Sequence, residues 1–351
     1  MKLSKLEITK FRGIQHLNID DLGMVNVFLG GNNVGKSTLL EAIFMIAGLS
    51  NPMLPSQINV IREVQHGDLA HLKYIFHKVQ LNEHPMIKGI TFDDKHRSVE
   101  IATILGVKSP NSDENLMGFA SNDGAPINGL ELICNDGSQP EYSTKLINEN
   151  GKLSIVSTIQ QITENIRAVL IPSNSKEGNV IESYSELVRR QLKESIIKAL
   201  NNFDARILNI EALADGLYLQ FQGIDELLPL SMAGDGVRRF LGIVAYVIDP
   251  TTDIVLIDEI ENGLHYSAYA KLWESLILSA ISNNVQLFVT THSSETFSCL
   301  AKIYVKLQNK LRSEDIRIYT LDKITNEEQQ IYALSAEGLQ GAIESNIEIR
   351  K

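Results

Sequence analysis

The stretch Gly30-Gly31-Asn32-Asn33-Val34-Gly35-Lys36-Ser37-Thr38 decides the fold class of this 351-residue chain. It meets the template G-x-x-x-x-G-K-[S/T] at every fixed position. Its flanks are those the template needs. Val25 to Leu29 reads as a short buried strand running into the loop, and Lys36 to Ala47 as an apolar helix stopped by Gly48. Strand, glycine loop and helix start make a cradle of backbone N–H groups backed by the helix dipole, which is an anion site. In such a cradle Lys36 reaches the outer phosphates of a nucleotide and Ser37 holds Mg²⁺.

A second element completes the chemistry. Asp253 to Glu259 is an apolar run that ends in two carboxylates. Beside a phosphate loop, a buried strand of this kind carries an Asp to the metal and turns the next residue toward the attacking water. Asp258 is thus the metal candidate and Glu259 the general base. Leu287 to Ser293 is a further buried strand, ending in His292, and one helix (roughly 267 to 282) separates the two. The two strands can then lie side by side in a parallel sheet, with His292 on the γ-phosphate or the water. Leu230 to Gly236 is a small-residue loop that opens the helical run Val237 to Val247, a second possible phosphate contact or simply a capped helix start.

Composition narrows the class. With 44% hydrophobic and 21% charged residues the chain reads as a folded soluble protein. A net charge of −11 excludes a surface that is basic all over, so any nucleic-acid contact needs a local patch. Cys134 and Cys299 fit no metal-ligand spacing and read as reduced thiols. The N-terminus lacks a signal-peptide core, and no apolar run reaches membrane-spanning length. The expectation is a cytoplasmic protein without a membrane segment.

The remaining chain reads as follows. Residues 2–29 give strand, turn, strand, strand. His66, His71, His77, His84 and His96 read as scattered surface histidines, since their spacing matches no ligand pattern. Val99 to Val156 looks like a β-meander, with turn signals at Asn122-Asp123-Gly124 and Asn135-Asp136-Gly137. Ser183 to Glu186 has the form of a capping box, followed by one helical face through Val188, Leu192, Ile196, Leu200 and Phe203. Arg189, Arg190, Lys193 and Lys198 lie off that face, as a solvated surface or a nucleic-acid patch.

Taken in order, these motifs resemble the ABC-type ATPases, and most of all the RecF/SMC/OLD branch. Leu6 to Ile14 is similar to that branch's first strand and Phe-Arg turn, as are Leu40 to Ile43, Leu230 to Arg239, the Glu261-Asn262-Gly263-Leu264-His265 loop and the ending Ile347 to Arg350. The resemblance implies an α/β phosphate-loop NTPase head with a mainly parallel core sheet, an N-terminal antiparallel β element and a helical/β insertion before the signature. It divides one composite ATPase domain into residues 1–49, an inserted region 50–165, and 166–351. It implies ATP and Mg²⁺ as cofactors, bound by Gly30, Asn32, Asn33, Val34, Gly35, Lys36, Ser37 and Thr38. The metal falls to Ser37 and Asp258, and catalysis to Glu259, His292 and Lys36. Arg12 reaches the nucleotide, and Ser231 and Gly234 meet the γ-phosphate of a nucleotide held by a second subunit, so that ATP joins a head-to-tail homodimer. Residues 231–236 depart from Ser-Gly-Gly-Gln, Tyr266 replaces a common Pro, and Gln57, Gln65 and Gln80 are equal candidates for the family's glutamine loop.

Long heptad arms are absent, and only 59 residues follow His292, too few for an added nuclease domain. The resemblance therefore implies an ATP-driven dimeric switch in DNA-linked or anti-phage processes, with a separately encoded effector and DNA as a possible partner. An ATP-gated assembly scaffold with slow hydrolysis is the alternative.

Overall fold

The computed structural model describes residues 1–64, 69–106, 126–137, 140–149, 152–158, 166–174, 178–307, 309–312, 314–324 and 329–334. The chain divides into two units. One comprises Met1–Leu22, Asn32–Arg167 and Leu321–Ile331; the other Gly23–Gly31, Ala168–Thr320 and Tyr332–Lys351.

The first unit is built on a seven-stranded antiparallel sheet. Its strands are β1 (Leu3–Phe11), β2 (Ile14–Ile19), β4 (Met86–Thr91), β5 (His96–Leu105), β6 (Ile127–Asn135), β7 (Tyr142–Glu149) and β8 (Lys152–Ser157), in the order β2-β1-β4-β5-β6-β7-β8. The meander read from the sequence is present as β5 to β8, each paired with the next. Residues 122–124 lie outside the described residues. β1 pairs with β4 (Ile8 opposite Ile87), which joins the N-terminal hairpin to the meander in one sheet. No local signal announces that pairing. Helix α1 (Lys36–Ala47) is almost wholly buried. Its last carbonyls, which no turn of its own can satisfy, are met by Arg97 from β5, whose Nη2 donates to Ala47 O at 3.1 Å.

The second unit holds the parallel core. Strands β3 (Val25–Leu29), β9 (Ala168–Ile171), β13 (Ile254–Ile257), β14 (Gln286–Thr291) and β15 (Ile316–Lys323) run parallel in the order β15-β3-β14-β13-β9, with β16 (Gln329–Leu334) beyond β15. Every residue of β3, β13 and β14 is buried, as expected of strands in a parallel sheet. Helices α3 (Gly178–Arg189), α4 (Lys193–Phe203), α5 (Asp235–Ile248), α6 (Tyr269–Ser282) and α7 (Ser294–Leu307) surround that core, with a small antiparallel sheet of β10 (Ile207–Leu213), β11 (Gly216–Phe221) and β12 (Leu228–Pro229). Phe203 and Phe240 stack at 4.3 Å between α4 and α5.

Three sequence expectations are corrected. The helix expected to begin at Ser183 starts at Gly178, so Ser183 lies inside α3. The continuous face from Val188 to Phe203 is broken. Gln191 takes φ 63°, and Leu192 N–H turns back to Leu187 O, closing α3 before α4 begins. Val188 is left exposed in consequence. The histidines are not uniformly superficial either. His71 and His77 are buried, with His71 Nε2 at 3.2 Å from the Ser56 hydroxyl and His77 Nδ1 donating to Arg12 O at 2.7 Å. Each ring finds a local partner once β1 and the following segment pack together. His66 lies outside the described residues. Among the described residues no helix is long and apolar enough to cross a membrane.

Candidate functional site

The phosphate loop is shaped by its backbone. Gly30 has φ 148°, Asn33 62° and Gly35 107°. Three left-handed residues in six curl the chain so that successive N–H groups can converge, and two of them are glycines because a Cβ there is strained. Gly35 N-caps α1, and Leu39 N–H donates to its carbonyl at 2.9 Å. Lys36 and Thr38 follow as buried residues of the first helical turn, while Asn32 and Asn33 are exposed and Val34 is buried. Ser37 sits beside Lys36 in that turn.

In the first unit, α1 is braced by a cluster that no local sequence signal announces. Glu41, one turn beyond Ser37, is 3% exposed and lies between two arginines. Arg12 Nε stands 2.7 Å from its Oε2, and Arg62 Nε 2.5 Å from its Oε1. Arg62 Nη2 also donates to Thr38 Oγ1 at 3.3 Å. Arg12 donates in addition to Asn59 Oδ1 at 2.8 Å and to Tyr74 O at 3.4 Å. Burial lowers the Arg12 guanidinium to about 10, opposed by Glu41, so it remains a cation at neutral pH. The structure thus places Arg12 on Glu41, the α2 helix (Leu54–Ile61) and the chain at residue 74.

The second unit gathers Asp258, Glu259, Glu261, Asn262, Thr290 and His292. The register that sets Ile257 opposite Val289 brings the ends of β13 and β14 together. Thr290, fully buried, works in both directions: its hydroxyl donates to Asp258 Oδ1 at 2.6 Å and accepts the Glu259 N–H at 2.8 Å. Glu259 has φ 46°, a conformation that costs a non-glycine residue roughly 1–2 kcal/mol and is typical of functional positions. Asn262 Nδ2 donates to Glu259 Oε2 at 2.8 Å and aims the carboxylate. His292 Nδ1 lies 3.0 Å from Glu261 Oε1 and 3.9 Å from Glu259 Oε1. From α5, Arg239 donates to Pro172 O at 3.0 Å and to Asp258 O at 3.1 Å, tying the ends of β9 and β13. Burial lowers the Arg239 guanidinium, while Asp258, Glu261 and Glu259 oppose the shift.

Ser231 lies in a single turn, Leu230–Met232, ahead of α5, and Gly234 is the N-cap of that helix. Met232 is 72% exposed, and a Cβ on Gly234 would meet nothing within 4 Å. The loop therefore faces open space. Asp235 pairs with Arg238 one turn on.

Arg62 escaped the sequence reading, and Thr290, Glu261, Asn262, Arg239 and Glu41 entered it only inside longer motif stretches, with no role of their own. Only Thr290 had a usable signal: once β13 and β14 are adjacent and parallel, it is the residue nearest Asp258. The donor chemistry fits the implied cofactors. Ser37 and Asp258 offer hard oxygens of the kind Mg²⁺ takes, and the glycine cradle suits phosphate.

Comparison with known proteins gives the family and the fold. Residues 25–298 match the family model "AAA_21: AAA domain, putative AbiEii toxin, Type IV TA system". An "ATP/GTP phosphatase" of Helicobacter pylori is 26% identical, over 86% of this chain and 88% of that protein. The DNA replication and repair protein RecF of Citrifermentans bemidjiense is 24% identical, over 69% of this chain and 63% of that one. An SMC head solved with the C-terminal winged-helix domain of ScpA shares the fold, with TM-score 0.53 and 11% identity over 96% of this chain and 99% of that chain. The chain belongs to the AAA_21 family of AAA domains and is a phosphate-loop ATPase of the ABC, RecF and SMC kind.

Proposed function

We propose that this chain hydrolyses ATP with Mg²⁺ and uses the nucleotide to switch between separate and paired chains. The observation that carries the proposal is the cluster at the ends of β13 and β14, where Thr290 and Asn262 hold Asp258 and Glu259 in fixed directions. Lys36 neutralises charge that builds on the outer phosphates. Ser37 and Asp258 would hold the metal, which would supply positive charge against the phosphates. Glu259 takes a hydrogen bond from the attacking water and polarises it, with His292 beside it. Gly30, Asn32, Asn33, Val34, Gly35 and Thr38 line the phosphates with backbone N–H groups and a hydroxyl. Arg12 serves the loop through Glu41 on α1.

The open position of the α5 start supports the paired state. Ser231 and Gly234, exposed ahead of the helix N-terminus, suit the γ-phosphate of a nucleotide on a second copy. The family description and the ScpA-bound neighbour support a separately encoded effector protein. RecF's name supports a DNA-linked role, and by family resemblance this extends to anti-phage defence in the cytoplasm.

The test is to mix two inactive variants. Gly234→Glu places a carboxylate where the partner's γ-phosphate would come, and Lys36→Ala empties the loop of its charge. Neither alone should turn over, because each lacks one half of both composite sites. A head-to-tail pair of the two rebuilds one site, so the mixture should regain activity that rises with protein concentration. Wild-type turnover by Gly234→Glu alone, independent of concentration, would overturn the paired reading.

A further inference from the structure

We infer that Glu261 is a positioning residue for His292: it fixes the proton of the neutral ring on Nδ1 and leaves Nε2 as an acceptor for water. The inference rests on reading Asp258 to His292 as the hydrolytic centre.

Glu261 follows β13 and is only 8% exposed. Its Oε1 accepts the backbone N–H of His292 at 2.9 Å and stands 3.0 Å from Nδ1 of the same residue. Glu259 Oε1 approaches that nitrogen to 3.9 Å. Two carboxylate oxygens therefore face Nδ1. A ring lone pair there is repelled by both oxygens, and a proton there is attracted by both, more strongly because the site is partly withdrawn from water. In the neutral ring this fixes the tautomer: Nδ1 carries the proton, and Nε2 presents a lone pair. By holding the residue's N–H as well as its ring, Glu261 restrains the root and the rim of the side chain together.

The consequence is chemical. A phosphate oxygen has only lone pairs to offer an Nε2 lone pair, whereas water has hydrogens. Neutral His292 is thereby matched to the attacking water, as a second acceptor beside Glu259, and mismatched to the γ-phosphate. Glu261 Oε2 is buried with no hydrogen-bond partner among the described residues, a cost that an apolar side chain would avoid.

The experiment compares wild type, Glu261→Ala and Glu261→Gln as full-length proteins. Two-bond ¹H–¹⁵N spectra of the imidazoles at mildly alkaline pH report the tautomer, with His292 assigned by its loss in His292→Asn. Wild type and Glu261→Gln should show the proton on Nδ1, because an amide oxygen can accept the same two N–H groups. Glu261→Ala should show it moved to Nε2. In steady-state assays Glu261→Ala should lose about tenfold or more in kcat with KM little changed, and Glu261→Gln should recover to within about threefold. Wild-type His292 protonated on Nε2, or Glu261→Ala within about twofold of wild-type kcat, would overturn the inference. If Glu261→Ala fails to fold by circular dichroism, the wild-type and Glu261→Gln spectra decide. The spectra need no turnover: an Nδ1 proton in a protein that hydrolyses no ATP would sink the hydrolytic reading and leave the pairing standing.

Discussion

Two buried glutamates, Glu41 in the first unit and Glu261 in the second, are equally hidden and differently employed. Glu41 lies between Arg12 and Arg62, two guanidiniums that keep their charge at neutral pH. Glu261 faces His292, whose neutral ring has two tautomers to choose between. The first arrangement has one state and fixes a helix. The second has several states and selects among them. Burial alone therefore does not tell a brace from a part of the chemistry; the partner does.

The comparison breaks most visibly at Glu41. Glu41→Ala strands the buried Arg12 guanidinium without its counter-ion, which costs about 3–5 kcal/mol. Urea unfolding should show the loss in the first unit. A loss below about 1 kcal/mol would mean that Asn59 and the Tyr74 carbonyl suffice to hold Arg12.

Thr290→Val is the next largest effect, and it tests the other cluster. Valine keeps the shape but removes the donor to Asp258 and the acceptor for the Glu259 N–H. Stability should fall by about 1–3 kcal/mol, and turnover by roughly tenfold as Asp258 and Glu259 lose their aim. Unchanged turnover would show that the strand ends alone fix both carboxylates.

Arg62→Ala should matter least. Its side chain is 39% exposed, so the pair with Glu41 is screened, and the change should cost no more than about 1 kcal/mol. Arg12→Ala should cost clearly more by the same unfolding assay. If the two were equal, Glu41 would not be asymmetrically dependent on its buried partner.

The same contrast explains what the sequence made legible. The phosphate loop, the Asp258-Glu259 strand end and the His292 strand end are contiguous motifs, and the crossover rule for parallel strands placed the latter two side by side. The unit built on β1 to β8 was harder. Its meander was readable from alternation and turn signals, yet the β1–β4 pairing depends on side chains meeting across a fold. Glu41 reads as one more residue of a helix until Arg12 and Arg62 arrive from distant segments. Arg97 capping α1 is of the same kind. The break at Gln191 went unseen because the apolar spacing of Val188 and Leu192 mimics a continuous helix, while the left-handed residue between them carries no glycine to mark it.

The central claim, that the cluster at the ends of β13 and β14 hydrolyses ATP, is tested most directly by Glu259→Gln. Its amide keeps the size of the side chain and can still meet Asn262, but it polarises water poorly. Nucleotide affinity and single-turnover hydrolysis should be measured together on the pure protein. ATP affinity should stay within about threefold of wild type while the hydrolysis rate falls by about a hundredfold or more. Hydrolysis at the wild-type rate, with binding intact, would show that the base lies elsewhere and contradict the account.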